Sequence, residues 1–397
     1  MSFNQQMYEF GANSCVIREI HEYSCHRAAR IGAENVFDFS LGNPSVEPPH
    51  EVTDTMLALL RDCEPMALHS YTSAQGDAAV RASVASYITR TFGVQMPADL
   101  LYITCGAAAS LAITLRAILN EGDECILCAP CFTEYRVFVE NAGGIPVIST
   151  PVPVTFQIDV EDLARRITPR THAVLINSPN NPSGVVYTAE TLTALCAVLK
   201  QKSKELGHPI YLIADEPYRE LVFDDIDVPY LMNYYDDTVV CYSFSKSLSL
   251  PGERIGYIAV SPTMQNARAF YLAVCGAGRA LGYICAPSLL QRLMERVIGT
   301  TVDVSTYREN RDLLFSALTS FGFECVKPDG AFYLMVKAPD GDATAFYERA
   351  KAHEILFVPC DDFEIKGYVR IAYCVKKSLI ERALPAFRAL ADEYKIV

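Results

Sequence analysis

The chain has 397 residues, half of them hydrophobic, and a formal net charge of -13. That length exceeds one compact core of usual size, so two domains are the natural expectation. An acidic surface repels phosphate backbones and anionic lipid, which argues against nucleic-acid and membrane partners.

The first ten residues, Met1–Phe10, are polar and mixed, without the basic start and apolar run of a secretory leader. No apolar run reaches the ~18 residues that a membrane-spanning helix needs. Fourteen cysteines are scattered over the whole length. With no leader they read as the reduced, mostly buried thiols of a cytoplasmic protein. Cys125, Cys128 and Cys131 have a spacing that can hold a metal or cluster. They fall on a strand, however, which turns Cys125 and Cys128 to opposite faces. Pro130 then opens a loop and no fourth ligand follows, so no metal is expected.

From about residue 97 to 262 the pattern alternates between strands and helices. Strands are predicted at Leu101–Thr104, Cys125–Cys128, Ile145–Ser149, His172–Asn177, Ile210–Asp215, Val239–Ser243 and Gly256–Val260. Helices are predicted over Ala107–Leu119, from about Thr133 to Asn141, and over the amphipathic stretch Ala189–Leu206. Strands that are apolar throughout, separated by helices, predict an α/β fold: a mostly parallel sheet with helices on both faces. Ligands of such sheets sit at the carboxyl ends of the strands. Arg279 follows in CGAGRALGYICAPS, where Gly276, Gly278 and Gly282 predict a loop.

After about residue 287 the texture changes. Helical stretches around Leu289–Ile298 and Tyr307–Phe321 precede short strands at Ala331–Val336, Ile355–Val358 and Tyr368–Ala372, and a last helix over Lys377–Tyr394. This predicts a smaller α+β domain. The expected division is a large domain over 46–287 and a small one built from 1–45 and 288–397.

Four segments just after predicted strand ends carry chemistry. Ser243-Phe-Ser245-Lys246 runs on to Arg254. A partly desolvated lysine can form a Schiff base, and Ser243, Ser245 and Arg254 can hold a phosphate. The segment alone reads equally well as a surface turn with a solvated lysine. Asp215 ends an apolar strand, where a carboxylate costs several kcal/mol unless it is paired. Its partner could be a protonated pyridine nitrogen, with Tyr218 three residues on, or it could simply cap a turn. Asn181 lies between prolines in NSPNNPSG, a rigid loop or an ordinary turn. Gly106, Ala107 and Ala108 join a strand to a helix N-terminus whose free N–H groups can meet an anion, or they serve close packing.

Together these segments resemble, in order, residue type and spacing, the class I aminotransferase family of the fold type I enzymes that use pyridoxal 5'-phosphate. The resemblance runs from about Phe37 to Ala389. It implies that Lys246 holds the cofactor as a Schiff base and that Asp215 pairs with the pyridine nitrogen. Asn181 and Tyr218 would hold the ring's phenolate oxygen. Ser243, Ser245, Arg254 and the Gly106–Ala107–Ala108 backbone would hold the phosphate, and Phe132 would stack on the ring. Gly42 and Arg370 match the residues that meet the substrate carboxylate. Tyr71 matches a tyrosine that reaches the phosphate of a neighbouring subunit, which implies a homodimer with shared sites.

The implied activity is transfer of the amino group of an α-amino acid to a 2-oxo acid. A lyase or decarboxylase would share the same cofactor site and is the alternative. A cofactor-binding regulator is a more remote one, because no basic helix-turn-helix precedes Phe37. Some aspartate-using members carry a lysine where this chain has Ala108, which leaves Arg279 as the expected cation for a dicarboxylate's far end. The ordinary alternative for Arg279 is a solvated surface side chain.

Overall fold

A computed structural model describes residues 2–12 and 16–396. Its strands are β1 (Phe37–Asp38), β2 (Leu101–Thr104), β3 (Glu124–Cys128), β4 (Ile145–Ser149), β5 (Thr171–Asn177), β6 (Tyr211–Asp215), β7 (Thr238–Ser243), β8 (Gly256–Val260), β9 (Cys325–Val326), β10 (Tyr333–Lys337), β11 (Ile355–Leu356), β12 (Val358–Pro359) and β13 (Tyr368–Ala372). Seven of them form one sheet in the order β2-β8-β7-β6-β5-β3-β4. Only β8 runs against the rest, pairing antiparallel with both β2 and β7. All residues of β2, β3, β6 from Leu212 onward, β7 and β8 are buried. That burial on both faces explains their unbroken apolar runs.

The register brings the ends of these strands to one edge. Thr104 and Ser243 both stand opposite Gly256, and Asn177 stands opposite Asp215. The last residues of β2, β5, β6 and β7 therefore share an edge with the first residue of β8.

The helices form where the sequence predicts them. Ala107–Ile118 follows β2, and its apolar face is buried from Ala109 to Ile118. Ala189–Leu206 opens on a Thr188 side-chain cap and closes on Gly207 in the left-handed region, the usual end for a helix. Around Arg279 the structure departs from the expectation. A helix spans Ala267–Ala280, with Arg279 exposed in its last turn. The helix runs through Gly276 and Gly278, and only Gly282 lies beyond its end. A Cβ on Gly278 would collide with the Tyr102 hydroxyl, and Gly282, at φ +83°, follows the helix end.

Beyond residue 300, β12-β13-β10-β9 form an antiparallel sheet, while β1 pairs in parallel with β11. The predicted strand over Ile355–Val358 is in fact two strands with different partners, split at Phe357. The one predicted from Ala331 starts at Tyr333, since Ala331 has φ +55°, outside the extended region. Two hydrophobic clusters result. One lies around the seven-stranded sheet, from Val52 to Val297. The other joins Ile17, Ile20, Val36 and Phe39 to the C-terminal residues Val302–Ala391, and takes in Phe156, Val185, Tyr218, Leu221 and Phe223. No helix among the described residues is long and apolar enough to cross a membrane.

Candidate active site

A cavity of about 560 Å³ lies at the shared strand edge, between the two clusters. Its floor is Asp215, the last residue of β6, which is 6% exposed. The Tyr135 hydroxyl donates to Asp215 Oδ2, while Oδ1 is buried with no partner among the described residues. Burial pushes the Asp215 carboxyl up to about 7, against the Tyr135 bond, which holds it down; Glu216 pushes it further up. The neighbouring strand end is tied to it. Asn177 Nδ2 donates to the Asp215 carbonyl at 2.8 Å, and Asn177 Oδ1 accepts from the Asn181 N–H at 2.7 Å. Asn181 is thereby set in its loop, between the cis peptides at Pro179 and Pro182.

Lys246 sits in the short helix Phe244–Ser247, which Ser243 caps directly after β7. Its Nζ donates to the Gly42 carbonyl at 2.6 Å and lies 5.3 Å from the centre of the Phe332 ring. Desolvation lowers Lys246 to about 8, with help from the Arg370 and Arg254 charges and against Cys374. A depressed value enlarges the neutral, nucleophilic fraction of the amine near neutrality.

A third wall suits an anion. Ser243 Oγ and Ser245 Oγ are 2.8 Å apart. Arg254 Nη1 donates to Ser245 Oγ at 3.4 Å and to the Pro251 carbonyl at 2.9 Å, and its Nη2 donates to the Cys105 carbonyl at 3.2 Å. Gly106, at φ +88°, leads into the helix Ala107–Ile118, which has no side-chain cap. The first N–H groups of that helix lack intrahelical acceptors. A Cβ on Gly106 would stand 2.7 Å from Arg254 Nη2, so only glycine lets the guanidinium and the helix start come together. Arg254 itself has φ +52°, a backbone state unfavourable for a non-glycine residue and common at functional sites.

Arg370 forms the opposite wall from β13. It is 1% exposed; Nη1 donates to Asn181 Oδ1 at 3.0 Å and Nη2 to the Ser40 carbonyl at 2.6 Å. Its Nε is buried without a partner among the described residues. The guanidinium lies 4.5 Å from the centre of the Tyr333 ring. The Tyr333 hydroxyl is 2.9 Å from that of Tyr218. A Cβ on Gly42 would collide with the Tyr333 hydroxyl.

Gly42, Ala107, Ala108, Phe132, Asn181, Asp215, Tyr218, Ser243, Ser245, Lys246, Arg254 and Arg370 all line this one cavity. Tyr71, 88% exposed, and Arg279 do not line it in their own chain. Sequence reasoning missed Tyr135, Tyr333 and Asn177. Tyr135 was within reach, because it falls in the first turn of the helix that directly follows Phe132. Tyr333 comes from the other sheet and had no signal of its own.

Comparison with known proteins identifies the family. The model of the aminotransferase class I and II family matches residues 34–387. The chain is 30% identical to the aspartate aminotransferase of Thermotoga maritima, over 90% of this chain and 91% of that one. It is also 30% identical to the aspartate/prephenate aminotransferase of Thermus thermophilus, over 87% and 88%. The crystal structure of an amino transferase from Eubacterium rectale superposes with a TM-score of 0.98 at 51% identity, covering 99% of both chains. The chain belongs to the class I and II aminotransferase family and is an aminotransferase of fold type I.

Proposed function

We propose that the cavity holds pyridoxal 5'-phosphate, that Lys246 is the amine that would hold its aldehyde as a Schiff base until a substrate amine releases it, and that the chain moves the amino group of an α-amino acid to a 2-oxo acid. One observation carries the reading. Two buried polar atoms of opposite character, Asp215 Oδ1 and Arg370 Nε, lack partners among the described residues, in the same cavity as a lysine with a depressed pKa. Orphaned groups of this kind are costly unless a ligand completes them. An acid-stabilised pyridine ring suits the first, and a substrate carboxylate suits the second.

The cofactor, when bound, supplies an electron sink for charge developing at the substrate Cα. The chain's residues do the rest. A cationic partner would draw the Asp215 carboxyl down from about 7 and hold it ionised. Ser243, Ser245, Arg254 and the N–H groups of Ala107 and Ala108 would meet a phosphate, with Gly106 leaving the room. Asn181 and Tyr218 would donate to a phenolate oxygen, and Phe132 would cover the ring. Lys246, once free, would carry the proton to and from the substrate Cα, a role typically worth ~10²–10⁴-fold in rate. Gly42 and Arg370 would meet the substrate carboxylate.

Further parts of the reading have separate support. Two hydrophobic clusters favour a large cofactor-binding domain over 46–287 and a small one from 1–45 and 288–397. The exposure of Tyr71, away from its own cavity, favours a homodimer in which it serves the neighbour's phosphate. Arg279 is a candidate for the substrate's distal end only through such a neighbour. Free thiols at 13 described cysteines favour the reducing cytoplasm.

The test is a panel assay. Cofactor-loaded protein meets each amino acid in turn, with the absorbance of the bound cofactor and the 2-oxo acid formed followed together. Amino acid consumption without stoichiometric transfer to the acceptor would refute transamination.

A further inference from the structure

Four cations line the cavity: Arg18, Lys246, Arg254 and Arg370. Three of them are engaged with other groups of the chain, as described above. Arg18 has no hydrogen bond or ion pair with another described residue. It lies in the first turn of the helix Val16–Ile31 and is exposed. Its neighbour Ile17 is 9% exposed and belongs to the second hydrophobic cluster, so the backbone that carries Arg18 is anchored. Two other features leave Arg18 alone in this position. Ala108 brings no charge to the cavity, and Arg279 lies outside it in its own chain.

We infer that Arg18 is a specificity-determining residue that binds the distal carboxylate of an acidic amino acid or 2-oxo acid. The inference rests on the transamination reading above, and names its substrate class. A substrate held by its α-carboxylate at Arg370, with Cα beside Lys246, must direct its side chain to the rest of the cavity. That remainder contains Leu41, Leu111 and Phe138 as apolar surface, with Arg18 and Glu134 as its charged groups. An acidic side chain there gains from Arg18. Glu134, half-buried and likewise without an ion pair among the described residues, opposes the same carboxylate. It therefore tunes the selection, and its removal should favour acidic ligands.

The experiment uses holoenzyme in two arms. The binding arm measures Kd by calorimetry for succinate, which has two carboxylates, and for propionate, which has one. Arg18→Ala should weaken succinate by roughly 10- to 100-fold and leave propionate within about 2-fold, as expected for loss of a hydrogen bond to a charged group. Glu134→Gln should tighten succinate by a few fold. Circular dichroism checks that both variants are folded; both sites are solvent-accessible helix starts. The turnover arm compares kcat/KM for aspartate and glutamate with that for leucine and phenylalanine, and Arg18→Ala should lose only the former. Equal loss on all ligands, no loss on any, or a loss on acidic ligands in Arg279→Ala with none in Arg18→Ala would overturn the inference. Should the unaltered protein transaminate no amino acid, the functional reading fails, while succinate binding still decides the role of Arg18.

Discussion

The Tyr135 hydroxyl donates to Asp215 Oδ2 and leaves Oδ1 bare at the floor of the cavity. The two residues come from a helix start and a strand end 80 positions apart. The bond stabilises the charged carboxylate, in opposition to burial. Tyr135→Phe removes it, so the Asp215 pKa should move up and the bound cofactor should lose protonation at a lower pH. The expected outcome is a kcat decrease of about 10-fold, near the worth of one hydrogen bond to a charged group. Spectrophotometric titration of the holoenzyme checks it. An unmoved titration with unchanged kcat would remove Tyr135 from the machinery.

Asp215 also has a signature in the cofactor-free protein. Its folded pKa of about 7 lies above the ordinary value of 3.8, so the folded state binds the extra proton. The contribution to stability is full below about 4 and is lost as pH rises through about 7. Unaltered protein should therefore lose up to about 4 kcal/mol across that window relative to Asp215→Asn, three units at ~1.4 kcal/mol each. Urea unfolding at several pH values measures the difference. Parallel curves for the two proteins would show that Asp215 is not held neutral. In the loaded enzyme the same substitution should cost transamination several orders of magnitude.

Lys246 should be the one lysine that takes a pyridoxyl label when the loaded protein is reduced with borohydride, digested and mapped. Its depressed pKa enlarges the neutral fraction of the amine, and its bond to the Gly42 carbonyl holds Nζ in the cavity. Lys246→Ala should give no label there and no turnover. A label on another lysine would sink the assignment.

Tyr71 should act across a dimer interface. Mixing Lys246→Ala chains with Tyr71→Phe chains should produce heterodimers with one site that has both native residues. That site should recover cofactor affinity lost in the Tyr71→Phe homodimer. Heterodimers without recovery would place Tyr71 outside any shared site.

Much of the site was legible because it is carried by short, local signals. Asp215 and Ser243 end apolar strands, and Gly106 sits between a strand and a small-residue helix start; each of these is visible in a window of about ten residues. The long helices Ala189–Leu206 and Lys377–Tyr394 were legible for the same reason, their period being local. Arg279 was misread because a glycine in a window looks the same whether it breaks a helix or makes room for a tyrosine. Gly278 does the latter, toward Tyr102, a residue 176 positions away.

The alternation of buried strands and helices, and hence a mostly parallel sheet whose strand ends gather the polar residues, was readable from the chain alone. Local propensity and burial pattern suffice for that, since each is a property of neighbouring residues. Which partners those residues meet is set by long-range packing. Tyr333, in the same small sheet as Arg370, reaches Tyr218 beyond the end of β6, Tyr135 reaches Asp215 from a helix, and Arg18 shares a cavity with Lys246 across more than half of the chain. Such pairings depend on how two separately cored units close on each other, and no window of sequence contains that information.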